Sequence, residues 1–267
     1  MLRNAGGKTL FEQRRPLLWW SLGVVAMVLI IVAYYPSVRN DQSLTDFMES
    51  LPEAAQAFSG GVGIDFSSPE GWANSQFFAN VGPLIFILYG VILGAGAIGR
   101  EEDRGTAELL LTMPVARRRI VIEKALAFVA LLIALGLVLF VSLLFGARAF
   151  DMELGAGDVL AASVQSILLG ATFASLALAI SCALGPRGHA AAISGAVAFA
   201  SFILYSLAPV VESLDKVQKA SPFYWYQADD PVANGFNLGH TGVLIAATAV
   251  LVALAVWLFD RRDVQVA

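Results

Sequence analysis

Six long apolar runs constrain this chain more than any other feature of its sequence. Each is close to the ~20 residues that an α-helix needs to cross the hydrocarbon core of a bilayer, and none has Asp, Glu, Lys or Arg in its interior. Lipid cannot satisfy backbone polar groups, so a segment that crosses it must be a helix or part of a closed barrel. The runs are continuous rather than alternating, which favours helices. The predicted spans are 17–35, 81–99, 125–146, 159–184, 190–211 and 241–259.

The composition agrees with a membrane protein. Apolar residues make up 58% of the chain and charged residues 14%, whereas a soluble chain typically carries ~25% charged residues. The basic residues do not form one patch, so we expect no nucleic-acid partner. The single cysteine, Cys182, lies in an apolar run, which leaves no disulfide framework and no cysteine metal site. We therefore predict an all-α polytopic membrane protein with one transmembrane domain, residues 1–267.

The distribution of Lys and Arg predicts the orientation. If the N-terminus is inside, the inner segments hold 13 of the basic residues and the outer segments hold 4. The positive-inside rule therefore places both termini in the cytoplasm. The predicted outer segments are 36–80, 147–158 and 212–240, and the largest inner segment is 100–124.

The N-terminus combines basic and apolar residues. Met1–Arg15 carries four basic residues beside Leu2, Leu10 and Phe11, a pattern typical of an amphipathic helix on the inner membrane surface, in contact with lipid. The run that follows is longer than the ~7–15 apolar residues of a signal peptide, so we expect it to be a retained span. Aromatic residues predicted as interfacial anchors stand at its two ends: Trp19, Trp20, Tyr34 and Tyr35.

The chain shows no internal source of energy or catalysis. Ion-driven carriers usually hold ionisable residues inside the membrane, and these spans have none. Gly6-Gly7-Lys8-Thr9 looks like the end of a P-loop, but the pattern needs a Gly at position 2, where the residue is Leu2. His189 and His240 fall on opposite sides of the membrane in the predicted topology. We predict no catalytic residue, no metal site and no cofactor bound by this chain.

The charged segment between the second and third spans, Arg100–Lys124, reads REEDRGTAELLLTMPVARRRIVIEK. Its acidic start and its Leu109-Leu110 stripe favour a short helix, and Thr112 with Pro114 favours the start of a new helix that runs into the third span. A Leu-rich surface between charged ends is typical of a docking surface for a partner. The residues alone also allow an ordinary basic loop with snorkelling arginines.

Residues 101–117, EEDRGTAELLLTMPVAR, with Lys124 after them, resemble the signature E…GT.E.LL..P..R……K of ABC-2 type permeases. These proteins are the membrane subunits of ABC exporters. Ser221-Pro222-Phe223 and Asp230-Pro231…Gly235 also resemble the segment that precedes the last span in that family. The predicted topology matches the family over essentially the whole chain.

The resemblance implies a half-transporter in a bacterial or archaeal cytoplasmic membrane. Two copies of a separate ABC ATPase subunit would bind it and hold ATP and Mg²⁺, and a second permease, identical or related, would pair with it. The central stretch would be the coupling helix lodged in the ATPase. The coupling residues implied are Glu101, Glu102, Arg104, Gly105, Thr106, Glu108, Leu109, Leu110, Met113, Pro114, Arg117 and Arg118.

Three functions stay open at this point. Apolar spans favour export of a lipophilic or amphipathic small molecule or drug by alternating access. Export of an ion such as sodium is the second possibility within the family. The third is a membrane anchor or assembly factor that recruits a soluble partner without transporting anything.

Overall fold

The computed structural model describes residues 5–40, 43–52, 55–56, 64–103 and 116–262, with side chains at all of these except 101–103 and 212. Helices make up most of this part of the chain. In chain order they are α1 Ala5–Val38, α2 Ser43–Glu49, α3 Pro69–Ala73, α4 Val81–Asp103, α5 Arg117–Ala149, α6 Ala156–Leu184, α7 Arg187–Leu207, α8 Pro222–Gln227, α9 Pro231–Asn234 and α10 Leu238–Arg261. A π-helix, Asn74–Phe78, joins α3 to α4, and 3₁₀ turns form Glu212–Leu214 and Val217–Ala220.

Six of these helices are long and apolar enough to cross a membrane: α1, α4, α5, α6, α7 and α10. The predicted all-α architecture with six spans is therefore confirmed. Five predicted spans lie within their helices, but 190–211 runs past the end of α7 at Leu207. Pro209, which has no N–H to extend the helical ladder, follows two residues later.

The N-terminal segment is helical but is not a separate helix. α1 runs without a break from Ala5 through the first span to Val38, with Pro16 and Pro36 inside it. Gly6 and Gln13 are buried near its start, so one side of this segment faces protein. The placement of the segment along the inner membrane surface stays a prediction.

The central element of the bundle is α6. It contacts α4, α5, α7 and α10 as well as the short helices α8 and α9, and two thirds of its most apolar window is buried. By contrast, only about a fifth of the most apolar window is buried in each of α1, α7 and α10. We call the end of the bundle where α4 finishes and α5 begins the inner end, which is predicted to face the cytoplasm, and the opposite end the outer end.

Small residues allow α4 and α6 to approach closely. A β-carbon added at Gly90 would overlap the carbonyl oxygen of Gly170, and one at Gly94 would overlap that of Ala174. From the other side, a β-carbon at Gly170 would stand 2.9 Å from the carbonyl oxygen of Phe86. The small-xxx-small pattern of α4 is thus used inside one subunit, for backbone-to-backbone packing that larger side chains prevent.

At the outer end, the segment before α4 is bound to α1. Trp72 in α3 donates its indole N–H to the carbonyl of Ile31 at 2.9 Å, and the hydroxyl of Tyr35 donates to the carbonyl of Ser67 at 3.0 Å. Tyr35 is only 4% exposed. Its role is therefore a contact within the protein, unlike the interfacial position predicted from the sequence.

We expect Gly94→Ala to destabilise the protein by about 2 kcal/mol, because the new methyl group forces α4 and α6 apart. Gly195→Ala is the matched control: this glycine also lies in mid-helix, and nothing stands within 4 Å of its added β-carbon. The control should be neutral or gain up to about 1 kcal/mol from helix propensity. Thermal unfolding of the detergent-solubilised chain measures both, and equal stability of the two variants would contradict the packing.

Candidate functional site at the inner end

The predicted coupling residues fall into two groups. Those whose position lies outside the described residues are Arg104, Gly105, Thr106, Glu108, Leu109, Leu110, Met113 and Pro114. The others stand on the helices that flank the stretch. Glu101 and Glu102 belong to the last turn of α4, and Arg117 and Arg118 begin α5. The structure therefore describes the two helices that carry the coupling stretch.

The two arginines at the start of α5 differ in their surroundings. Arg117 is half-buried and donates from Nη1 to the carbonyl of Arg262, just beyond α10, at 2.8 Å. Arg118 is exposed. Arg119, one residue later, pairs with Glu123 in the next turn at 2.8 Å. Arg117 thus joins the start of α5 to the end of α10, while Arg118 points away from the bundle.

Ser181 of α6 bridges one turn of α4. The N–H of Gly99 donates to Ser181 Oγ at 3.1 Å, and the same hydroxyl donates to the carbonyl of Ala95 at 3.2 Å. In a regular α-helix these two backbone groups bond to each other. The carbonyl of Ser181 also accepts from Arg262 Nη1 at 3.4 Å. One buried serine therefore links α4, α6 and the end of α10, directly before Arg100.

A buried lysine ties α5 to α4. Lys124, which the sequence signature includes, is 4% exposed, and its ammonium group donates to the carbonyl of Ala97. A buried charge is costly unless it is hydrogen-bonded, so this contact holds the two helices together. We call the residues of these contacts the inner frame: Ala95, Ala97, Gly99, Arg117, Lys124, Ser181 and Arg262.

The start of α1 packs beside the inner frame, against Glu123 and Arg100. The N–H of Ala5 donates to a carboxylate oxygen of Glu123 at 2.9 Å, and a β-carbon at Gly6 would stand 2.8 Å from the carbonyl oxygen of Glu123. Gln13, 3% exposed, accepts from Arg100 Nη2 at 3.1 Å when its amide is oriented to suit both groups. The N-terminal segment therefore contacts both helices that carry the coupling stretch.

A second polar cluster lies at the outer end. Asn74 of the π-helix donates to Asp230 Oδ2 at 2.9 Å and accepts from the side-chain amide of Gln227. The hydroxyl of the buried Tyr226 donates to the carbonyl of Phe78 at 2.7 Å. These contacts bind the segment before α4 to the segment before α10. We call them the outer latch.

Asp230 occupies an unusual position in the outer latch. It has a left-handed backbone, φ 42°, and caps α9 by accepting from the N–H groups of Val232 and Ala233 at 3.2 and 3.4 Å. Asp tolerates this conformation better than most residues. Burial raises the pKa of its carboxyl above the ordinary value, and the charge of Glu70 adds to the rise, although the hydrogen bonds from Ala233, Val232 and Asn74 oppose it.

The sequence alone did not single out several of these groups. Ser181, Gln13, Asn74 and Gln227 are polar residues in or beside apolar helices, and nothing in their spacing connects one to another. Within the described ranges, no three His, Cys, Asp or Glu side chains come together as a metal site.

Six apolar helices, of which the central one is largely buried, define a multi-pass membrane protein. The sequence model of the family described as 'ABC-2 family transporter protein' matches residues 10–264, which is nearly the whole chain. The chain belongs to this family, and it is a permease of an ABC transporter, a class of membrane protein that generally works with an ATPase subunit. No curated protein sequence matches the chain.

Replacement of Ser181 tests the inner frame. We expect Ser181→Ala to lower the free energy of unfolding by about 1 kcal/mol, because it removes two buried hydrogen bonds that join α6 to α4. Ser175→Ala is the matched control on the same helix, since Ser175 is buried and its hydroxyl has no partner among the described residues. The control should be neutral or stabilising in thermal unfolding. A loss of the same size in both variants would show that the bridge contributes nothing.

The raised pKa of Asp230 makes stability depend on pH. Between the ordinary carboxyl pKa of about 3.9 and the raised value, the folded chain binds more protons than the unfolded one, so stability falls as pH rises through this window. Asp230→Asn should remove that fall, whereas Asp215→Asn at an exposed outer site should keep it. Unfolding temperatures measured from pH 4 upward test this dependence. If the unfolding temperature of Asp230→Asn fell with pH as steeply as that of the unmodified chain, Asp230 would not be its cause.

Proposed function

We propose that this chain is the non-catalytic permease subunit of an ATP-driven exporter and that the inner frame passes motion of a separate ATPase into the spans. The observation that supports this most directly is the set of contacts around the coupling stretch. Its two flanking helices are bonded to each other through Lys124 and Ala97 and to α6 and α10 through Ser181 and Arg262. A force applied to the stretch therefore acts on four helices at once.

In this proposal the ATPase subunits bind ATP, and the permease subunits form the transport path. Two ATPase copies hold ATP and Mg²⁺, and the coupling residues from Glu101 to Arg118 dock into them. Arg117 acts mainly by positioning, because its guanidinium is bonded to the end of α10, while the exposed Arg118 can meet the partner. A second permease copy and lipid cover the weakly buried faces of α1, α7 and α10.

We infer the direction of transport from the distribution of basic residues, and the class of cargo from the residues of the spans. The excess of basic residues at the inner end supports a cytoplasmic position for it, in a bacterial or archaeal cell membrane. The spans are mostly apolar and carry no charged residue in their interior, which favours a lipophilic or amphipathic small molecule moved from the inside outward by alternating access. The outer latch then acts as the contact that must open for release.

Charge reversal in the coupling stretch tests the proposal. We expect Glu108→Lys combined with Leu109→Asp to abolish co-purification with the ATPase and to reduce ATP-dependent export at least tenfold. The matched control is Asp215→Lys combined with Val217→Asp, a similar change at exposed positions of the outer end, which should leave both unchanged. The measurements are pull-down and ATPase-coupled export in reconstituted vesicles, with the chain and its ATPase partner expressed together.

The same assay separates the competing functions. If the variant with Glu108→Lys and Leu109→Asp still assembled with the ATPase and exported normally, the coupling stretch would not pass motion from the ATPase to the spans. Normal binding of an ATPase whose hydrolysis never responds to any cargo would favour a membrane anchor. Export of sodium into vesicles, without stimulation by lipophilic compounds, would favour an ion exporter.

A further inference from the structure

A groove on the side of the bundle lies between α5, α6 and α10. Its volume is about 520 Å³. α5 lines it from Val129 to Phe140, α6 lines it from Leu160 to Ala171, and α10 contributes Ile245, Thr248 and Ala249 near its middle. Gly136 on α5 lets Ile167 of α6 pack closely at the floor of the groove, since a β-carbon there would overlap the side chain of Ile167.

The groove offers almost no polar group to a ligand. Of the residues that line it, only Ser163 and Thr248 carry polar side chains. Ser163 Oγ donates to the carbonyl of Val159 at 2.7 Å, and the Thr248 hydroxyl bonds to that of Thr172 at 3.1 Å. Both hydroxyls are therefore bonded within the protein, and an occupant must be apolar along its length.

The position of the groove places it at the depth of the hydrocarbon core. Residues 129–140 and 160–171 both fall inside the apolar runs of their helices. Whatever fills the groove comes from the surrounding bilayer or from another membrane helix, because water at this depth finds no free partner in the lining.

The length and the lining of the groove suit a hydrocarbon chain. Eleven residue steps at 1.5 Å each make the groove about 16 Å long, and its volume is about 520 Å³. An extended acyl chain can lie along an apolar groove of this length. A helix, which is about 10–12 Å across with its side chains, would cover the groove from outside.

A cation stands beyond the outer mouth of the groove. Arg148 lies in the last turn of α5 and is exposed. It follows Leu137, a lining residue, by eleven positions, which is three helical turns, so the two residues are on the same side of α5. A phosphate attached to a chain in the groove would meet this guanidinium, which binds phosphate well.

We propose that this groove binds one acyl chain of an outer-leaflet phospholipid, with Arg148 contacting the phosphate. The lipid is a resident of the permease rather than its cargo, so the inference does not depend on which molecule is exported. It fills the space between α5, α6 and α10 and supports the packing of α10 against α6.

Photo-labelling by a defined lipid tests the proposal. The full chain is reconstituted in vesicles of phosphatidylethanolamine and phosphatidylglycerol that contain a phospholipid with a diazirine on one acyl chain. We expect labelling of residues 129–140 and 160–171 to exceed that of the exposed Phe199 region of α7 at least fivefold. Labelling that is uniform over all lipid-facing helices would overturn the proposal.

Filling the groove provides the specific control. Ala249→Phe and, from the opposite wall, Val164→Phe should each lower groove labelling about tenfold. Ala196→Phe, at an exposed position of α7, should leave it unchanged. Unchanged labelling in both filled variants that elute as folded protein would overturn the proposal.

Two more measurements address the headgroup and the competing occupant. Arg148→Gln should reduce retention of phospholipid severalfold in native mass spectrometry but leave retention of diacylglycerol unchanged, and equal retention of phospholipid would overturn the phosphate contact. With Cys182→Ala, Ile245→Cys in the groove should form no disulfide between copies. An efficient cross-link would instead assign the groove to a second copy of the chain.

Discussion

The close contact between α4 and α6 is the interaction on which the rest of this structure depends. Lipid is as apolar as the side chains of these helices, so no hydrophobic force drives them together, and close packing must hold them. Gly90 and Gly94 on one side and Gly170 and Ala174 on the other let the two backbones touch. Because α6 also contacts α5, α7 and α10, this pair sets the position of the whole bundle.

The polar contacts stand at the two ends of that pair. At the inner end, Ser181 and Lys124 bind the last turns of α4. At the outer end, Asp230 and Tyr226 bind the segment that leads into α4, through Asn74 and Phe78. Buried hydrogen bonds of this kind are worth most where water is excluded. The polar contacts of α4 therefore lie near its two ends, and its middle packs against α6 through small residues.

The sequence predicted much of this fold because a bilayer allows few alternatives. Uninterrupted apolar runs define the six spans, and the motif around Glu108 and Pro114 identified the family that the match over residues 10–264 confirms. The predicted span 190–211 extends beyond α7, because the run stays apolar past Pro209 while the helix ends at Leu207. The site was harder to predict. Ser181 and Gln13 form hydrogen bonds with residues that lie more than eighty positions away in the sequence. No local pattern reveals such pairs.

The continuity of α1 has a mechanical consequence. At 1.5 Å per residue its 34 residues form a rod about 51 Å long, well beyond the ~30 Å hydrocarbon core. The rod is pinned at one end to Glu123 on α5 and at the other to Trp72 and Ser67 ahead of α4. Because Val24, Val28 and Val32 of this helix are buried in the core, a displacement of its inner end would also act on α5, which packs along it. Pro16 has no N–H to donate to the helical hydrogen-bond ladder, so α1 bends more easily there than elsewhere in its inner half.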